Sequence, residues 1–172
     1  IRHPNLECDD AIATMTKIHC EQGDDCTIIS SDSDFYQLLN TFDNCAIYNP
    51  IRKKLIEKPD YDYVTWKALR GDPTDNISGI PGCGDKTADK LVRSPGLLSE
   101  YFKKDPIRQQ IFERNVNLIR LVDFSDNLSD MERHDGAADF EQLYDILDDM
   151  DFQSMIKEKT WNKYVNTFKE LL

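Results

Sequence analysis

Long apolar runs, paired cysteines and a surplus of positive charge are all missing from this chain. No hydrophobic stretch approaches the length that crosses a bilayer, and the N-terminal stretch lacks a secretion-signal pattern. The expected setting is therefore cytosolic, with no membrane partner. The five cysteines (Cys8, Cys20, Cys26, Cys45, Cys83) are odd in number, scattered and without a CxxC pair, so neither a disulfide framework nor a zinc site is suggested. They read as reduced thiols, most of them buried. No internal repeat or low-complexity tract is visible. The three histidines, His3, His19 and His134, fall outside every acidic cluster and receive no chemistry.

What remains is 172 residues, 40% of them hydrophobic, enough for one domain of ordinary size. Lys and Arg number 21 against 32 Asp and Glu, a net charge of −11, which at first argues against a nucleic-acid partner. Distribution matters more than the sum. Acidic residues gather in the motifs and between Asp123 and Asp151, whereas Arg52, Lys53, Lys54, Lys67, Arg70, Lys86, Lys90, Arg93, Lys103, Lys104 and Arg108 occupy the middle. Divalent cations bound among the acids would offset part of the negative charge. The chain opens at Ile1 without methionine, and Ile1 to Glu7 reads as the run-in to a helix already inside a domain. A fragment lacking its N-terminal part, behaving as a monomer, is the expectation.

Apolar periodicity predicts a helix from about Asp9 to Glu21, with Cys8, Ala11, Ile12, Met15 and Ile18 as its inner face. Cys26 to Ser30 reads as a buried strand that delivers Asp32 and Asp34 at its carboxyl end, where open α/β sheets bind ligands. Helical residues Phe35 to Leu39 follow. Cys45 to Asn49 is a further strand, with Arg52 to Ile56 as a hairpin partner. Tyr63 to Leu69 is a short helix, Leu97 to Phe102 another, and Asp105 to Val122 a longer one with Ile111, Phe112, Leu118, Ile119 and Val122 inward. A polar connector from Phe124 to Ala138 leads to a helix through Phe140, Leu143 and Leu147. Trp161, Tyr164, Val165, Phe168, Leu171 and Leu172 then recur at helical spacing as a core stripe.

Three short acidic clusters stand out: Glu7, Asp9 and Asp10; Asp32 and Asp34; Asp72 and Asp75. Each has a plain alternative as a helix cap or a dipole partner. Converging, however, seven like charges would be strongly unfavourable without cations among them. Oxygen-only ligands with no histidine or cysteine nearby point to Mg²⁺ or Mn²⁺ rather than zinc. An EF-hand reading of Asp32-Ser33-Asp34 fails, because Gln37 stands at loop position six and Asp43 at position twelve. Asp72 and Asp75 are three apart, so one turn would set both on one side. Just beyond them, Gly79-Ile80-Pro81-Gly82-Cys83-Gly84 makes a glycine turn before a helix carrying Lys86, Ala88, Leu91 and Val92. Such a turn presents amides at a helix start, a site suited to phosphate. A plain turn between two helices is the alternative.

Glu7-Cys8-Asp9-Asp10-Ala11-Ile12-Ala13, Ser30-Ser31-Asp32-Ser33-Asp34-Phe35-Tyr36-Gln37-Leu38-Leu39 and the run from Gly71 to Ala88 resemble, in order and spacing, the successive motifs of the 5′ nuclease superfamily. That family includes bacteriophage 5′-3′ exonucleases, the 5′ nuclease domain of bacterial DNA polymerase I, and flap endonucleases. The resemblance covers Glu7 to about Asp123. It implies the C-terminal part of a PIN-like α/β catalytic domain over residues 1–70, a helix-hairpin-helix region over 71–123 and a helical C-terminal segment over 124–172. It further implies two divalent ions, Mg²⁺ or Mn²⁺. Glu7, Asp9 and Asp10 would hold the activating site, Asp32 and Asp34 would lie between the sites, and Asp72 and Asp75 would serve the second. Asp9, Asp10, Asp32 and Asp34 would be the catalytic set. Gly79, Gly82, Gly84 and Lys86 would grip the backbone of a DNA duplex with a 5′ end, nick or flap, or of an RNA primer, with K⁺ at the hairpin. The family's first aspartates and basic helical arch would lie before Ile1. Their absence would leave Ile28, Ile29 and Ile47 partly exposed. The competing reading is a non-catalytic helix-hairpin-helix module that binds duplex DNA.

Overall fold

The computed structural model describes residues 1–132 and 138–169, and the chain divides into two units, Ile1–Glu132 and Arg133–Leu172. In the first unit, α1 (Cys8–Gln22) carries Asp9 and Asp10 in its first turn, where the helix dipole favours them. It stops at Gly23, whose φ of 92° is the left-handed conformation that closes a helix; the amides of Gly23 and Asp24 donate to the carbonyls of Cys20 and His19. The inner face differs from the predicted one. Asp10, Ala11, Ala13, Thr14, Thr16 and Cys20 are buried, while Cys8 and Ile12 are exposed. The cause is a polar row, Asp10, Thr14 and Lys17, that binds the extended strap of residues 120–125. The amide of Val122 donates to Asp10 Oδ1 at 2.8 Å, that of Phe124 reaches Thr14 Oγ1 at 3.4 Å, and Lys17 Nζ donates to Asp123 and Ser125.

β1 (Cys26–Ile29), α2 (Tyr36–Thr41) and β2 (Cys45–Asn49) form a βαβ unit, the strands parallel with Cys26 opposite Cys45 and Ile29 opposite Tyr48. Parallel strands need such a crossover, and β-branched Thr27, Ile28 and Ile29 suit the pleat. β3 (Lys54–Leu55) returns antiparallel on β2, giving the order β1-β2-β3. The turn between them is held by Asn49 Oδ1, which accepts the amides of Ile51 and Arg52 at 3.0 and 2.9 Å. Ile28, Ile47, Phe35, Leu38, Leu39, Ala13, Cys20 and Cys45 make the core. Of the three isoleucines expected to be left open, only Ile29 is, at 71% exposure. Ile28 turns into the helical layer and Ile47 sits on the central strand, fully covered. The cysteines are free; Cys20, Cys45 and Cys83 are buried. Burial, with Cys26 alongside, pushes the Cys20 thiol up to about 12, which leaves it inert.

α3 (Tyr63–Arg70) starts at Asp62, whose carboxylate accepts the Thr65 amide at 2.6 Å. Directly after it, β4 (Gly71–Asp72) and β5 (Ile77–Ser78) pair as a two-residue antiparallel ladder, too short to leave an alternating pattern in sequence. α4 (Asp85–Val92), α5 (Pro95–Lys103) and α6 (Pro106–Ile119) follow. Leu69, Ile80, Cys83, Ala88 and Leu91 form a second core, with Phe102 and Phe112 packed against it. α6 ends three residues before the predicted Val122, because residues from Arg120 onward adopt extended backbone and bind α1. Asn115 and Ile119 are its buried positions, while Leu118 (61% exposed) and Val122 stay outside the core, contrary to expectation.

In the second unit, α7 (Phe140–Asp149), α8 (Gln153–Ile156) and α9 (Glu158–Lys169) join through aromatic contacts. Tyr144 meets Trp161 edge-on at 5.2 Å, and Tyr164 lies 5.7 Å from Trp161 and 4.6 Å from Phe168. The predicted core stripe is thus only half covered, with no α9 residue buried and Phe168 exposed, since three short helices offer too little surface to enclose it. Leu171, Leu172 and His134 lie outside the described residues. Among the described residues, no helix is long and apolar enough to cross a membrane.

Candidate functional site

The carboxyl end of β1 runs into a tight loop in which Asp32 Oδ1 accepts the Asp34 amide at 2.9 Å and Ser30 Oγ accepts the Asp32 amide at 3.0 Å. These bonds leave Asp32 exposed and turn Asp34 inward. On the other side, α3 and the β4-β5 hairpin bring Asp72 and Asp75 to the same place. Asp34, Asp72 and Asp75 each offer a carboxylate oxygen, and the three oxygens lie within 4.8 Å of one another. Among the described residues no other acidic or thiol group converges in this way. Asp72 is buried on β4, and Thr74 binds its Oδ1 through both amide and hydroxyl, the amide at 2.9 Å.

Between the three carboxylates sits a residue that sequence reasoning counted among the basic side chains available to a polyanion, Lys67. It is 3% exposed, and its ammonium contacts Asp34 Oδ1 and Asp72 Oδ2, with Asp75 Oδ2 at 3.9 Å. The signal was present: Lys67 shares the buried face of α3 with Tyr63, Val64 and Ala68, a place where an unpaired lysine is costly. Burial alone would neutralise the ammonium, yet the bonds to Asp34 and Asp72 reverse that and raise its pKa.

The carboxylates record the crowding. Burial raises the Asp34 pKa, against the pull of Lys67 and with help from Asp32 and Asp72. Burial and the neighbouring Asp72 raise Asp75. Asp72 moves the other way: burial opposes its ionisation, but the adjoining Lys67 ammonium and the hydrogen bonds from Thr74 hold it well below the usual carboxylate range. Asp9, on the first turn of α1, is raised by burial and then by the like charges of Asp32, Asp34, Glu7 and Asp10.

The other predicted site residues are placed differently. Glu7 is the exposed N-cap residue of α1 and its side chain makes no capping bond. Asp10 is buried with Oδ1 engaged by the Val122 amide, so its immediate partner is the strap rather than the three converging oxygens. Gly79 packs against its own chain: a Cβ there would lie 1.9 Å from the Arg70 carbonyl oxygen, and one on Gly71 (φ 86°) would lie 2.2 Å from the Gly79 amide nitrogen. This backbone crossing by itself requires glycine at both positions. Gly82 and Gly84 do face open space, and Lys86 is exposed on the first turn of α4. Sequence reasoning passed over Asp85, which opens that helix and is tied to Arg70 Nε, with the Arg70 guanidinium 5.2 Å from the Trp66 ring centre.

The donor set at the cluster fits a divalent cation. It is oxygen only, and three carboxylates face a single ammonium. The buried Asp72 Oδ2 touches Lys67 yet accepts no well-directed hydrogen bond.

Fold and site together define an α/β protein with an oxygen-lined acidic cluster at the carboxyl edge of a parallel strand pair. No family model matches the chain. A thermostable DNA polymerase I of Thermus thermophilus is 35% identical over 121 residues, 64% of this chain and 14% of that protein. A 5′-3′ exonuclease of Aquifex aeolicus is 28% identical over 178 residues, 90% of this chain and 59% of that protein. A T5 5′-exonuclease mutant shares the fold, with TM-score 0.59 and 24% identity over 70% of this chain and 57% of that one. A second T5 protein, co-crystallised with metal ions, has the same TM-score at 22% identity, covering 70% of this chain and 52% of that one. The chain is thus similar in sequence to bacterial DNA polymerase I and to a 5′-3′ exonuclease, and it shares the fold of T5 5′-exonuclease. It spans 14% of the length of the Thermus polymerase and 59% of that of the Aquifex exonuclease, less than two thirds of either.

Proposed function

We propose that this chain carries part of the active site of a divalent-metal-dependent 5′-3′ exonuclease or 5′-flap endonuclease that hydrolyses phosphodiester bonds in DNA. The observation that carries the reading is the convergence of Asp34, Asp72 and Asp75 around Lys67 in a chain similar to 5′-3′ exonucleases. Asp34, Asp72 and Asp75 would hold one cation, with Asp32 between that site and a second that includes Asp9 and Glu7, while Asp10 holds the strap through the Val122 amide. Mg²⁺ or Mn²⁺ would supply Lewis acidity at the phosphate and its nucleophile. The protein's own contribution is to hold these oxygens in place before substrate arrives. Asp72 stays ionised through the adjoining Lys67 ammonium and its bonds from Thr74, and Lys67 keeps Asp34 and Asp72 at a fixed separation.

In the same reading α3, the turn through Gly82 and Gly84, and α4 form a helix-hairpin-helix that holds the backbone of a DNA duplex with a 5′ end, nick or flap. Gly82 and Gly84 are open to a phosphate, the amides of Thr87 and Ala88 bond to the Gly84 carbonyl and leave those of Asp85 and Lys86 at the helix start for a ligand, and the Lys86 side chain is exposed beside them. K⁺ at the turn and an RNA primer as alternative strand belong to this proposal too. The test is cleavage of a 5′-flap duplex by the full natural protein across a Mg²⁺ titration, with Asp32→Ala and Asp72→Ala beside it. Mg²⁺-dependent products that fall by orders of magnitude in both variants, with duplex affinity within a few-fold of the parent, are expected. Cleavage by either variant at near-parent rate in excess Mg²⁺ would overturn the reading.

A further inference from the structure

The two halves of the acidic cluster come from separate parts of the chain, joined directly by Lys67, by Asn40, whose Oδ1 accepts the Tyr63 amide at 3.0 Å, and by the Tyr36 and Tyr63 rings, 5.3 Å apart. Asp34 belongs to the β1-α2 loop, whereas Asp72 and Asp75 ride on α3 and the β4-β5 hairpin. A second connection runs behind the carboxylates through two buried carboxamides at separate points along α6. Gln37, on α2 and 8% exposed, donates from Nε2 to the carbonyls of Asp34 (2.9 Å) and Ile119 (3.2 Å), and its Oε1 accepts the Leu121 amide at 3.1 Å. The two carbonyls require the NH₂ group and the amide requires the oxygen, so the side chain has one satisfied orientation. Asn115, 0% exposed, donates from Nδ2 to the carbonyls of Ala68 and Ser78, each at 2.9 Å, while Arg114 donates to its Oδ1.

Gln37 thus fastens the backbone of Asp34 to the C-terminal end of α6, and Asn115 fastens α6 to the end of α3 and to β5. α3 carries Lys67, and β5 pairs with the strand that carries Asp72. We propose that Gln37 and Asn115 are positioning residues that set the separation of Asp34 from Asp72 and Asp75 through α6, and with it the affinity of the cluster for a divalent cation. This rests on the metal-site reading above. Neither side chain touches the cluster's carboxylates. The bonds of Gln37, and those that Asn115 donates, go to main-chain groups, which a buried site leaves without an alternative partner once the carboxamide is removed.

The experiment reads Mg²⁺ binding directly, by calorimetry and by amide hydrogen exchange with and without Mg²⁺. In the parent protein Mg²⁺ should slow exchange of the Leu121 amide, which donates to Gln37, although Leu121 lies outside the cluster. Gln37→Leu should lower Mg²⁺ affinity roughly 10- to 100-fold, the range for removing a group that orients metal ligands. Its KM for duplex DNA should be unchanged. Gln37→Glu keeps the acceptor for Leu121 but loses both donors, and should fall into the same range. Thr41→Val, which removes a hydroxyl bond to the Gln37 main-chain carbonyl, should leave Mg²⁺ affinity as it is. Should Gln37→Leu fail to fold, the exchange measurement on the parent protein decides. Mg²⁺ binding with no change at Leu121, or unchanged Mg²⁺ affinity in folded Gln37→Leu, would overturn the positioning role alone. No Mg²⁺ response anywhere in the parent would overturn that role together with the metal site.

Discussion

Two acidic groups in this chain look alike in sequence and differ in space. Asp34, Asp72 and Asp75 point three oxygens at one position around a buried ammonium. Glu7, Asp9 and Asp10 occupy one helix start yet do not converge: Glu7 is exposed, Asp10 binds the strap, and Asp9 is half-buried and feels the charges of Asp32 and Asp34. Both groups are carboxylates, and those adjacent in sequence are the ones that do not converge, so what separates the groups is the scaffold behind each. The first has a lysine on the apolar face of α3, a hairpin to turn Asp72 inward and Thr74 to bind it. The second has only the first turn of a helix, where successive side chains fan outward by 100° per residue. Carboxylates become a site when buried structure forces them together, and the cost of that crowding appears in the raised pKa values of Asp34 and Asp75.

The largest predicted effect breaks the first group at its backbone. Gly79→Ala would place a Cβ 1.9 Å from the Arg70 carbonyl oxygen, forcing the hairpin away from α3 and Asp72 away from Asp34. A loss beyond about 4 kcal/mol, or no folded protein, is expected. Gly84→Ala, with nothing within 4 Å of the added carbon, should stay within about 1 kcal/mol in the same denaturant melt. Equal effects from the two would show that the backbone crossing is not what holds the hairpin.

Next comes the counter-charge. Lys67→Met leaves Asp34 and Asp72 buried without their ammonium, which should destabilise the metal-free protein by about 3–5 kcal/mol, with part of the loss recovered as Mg²⁺ is added. A melting temperature unaffected in EDTA would mean that the ammonium is not compensating these charges.

Asp10→Ala tests the second group as a structural one. Removing the acceptor strands the Val122 amide, at a cost of about 1–3 kcal/mol by chemical denaturation. No loss of stability would free Asp10 for the metal role that sequence reasoning gave it.

The smallest effect lies further along the same face of α1. Lys17 and Ser125 hold the Asp123 carboxyl down to about 2, from an ordinary 3.8. A lowered folded-state pKa contributes stability that is present above 3.8 and lost as pH falls through about 2. Asp123→Asn should remove that part of the acid dependence and little else, since the Asp123 side chain is about half exposed and the pair is screened by solvent. A variant whose acid melt superimposes on the parent's across this window would show the pair to be inert.

Much of this was legible in the sequence, and the failures share a cause. The parallel strands, the loop bearing Asp32 and Asp34, and the helices around the glycine turn follow from apolar runs and turn residues. The inner face of α1 was misread because Asp10, Thr14 and Lys17 face inward to bind the strap, and polar contacts with a distant segment leave no periodic trace. The same holds for Gln37 and Asn115, buried amides whose partners lie some 40 to 80 residues away. Lys67 was counted as surface charge because a net total cannot distinguish a buried cation from an exposed one. The β4-β5 ladder, two residues per strand, is below the length at which alternation can be recognised.

Calorimetric titration of Mg²⁺ into the parent protein, Asp72→Asn and Asp10→Asn tests the contrast between the two groups most directly. Asp10→Asn keeps an oxygen for the Val122 amide, whereas Asp72→Asn removes one of the three converging carboxylates. Binding in the parent, retained within a few-fold by Asp10→Asn and lost by Asp72→Asn, is the predicted result. Equal binding by the parent and Asp72→Asn, or loss confined to Asp10→Asn, would contradict it.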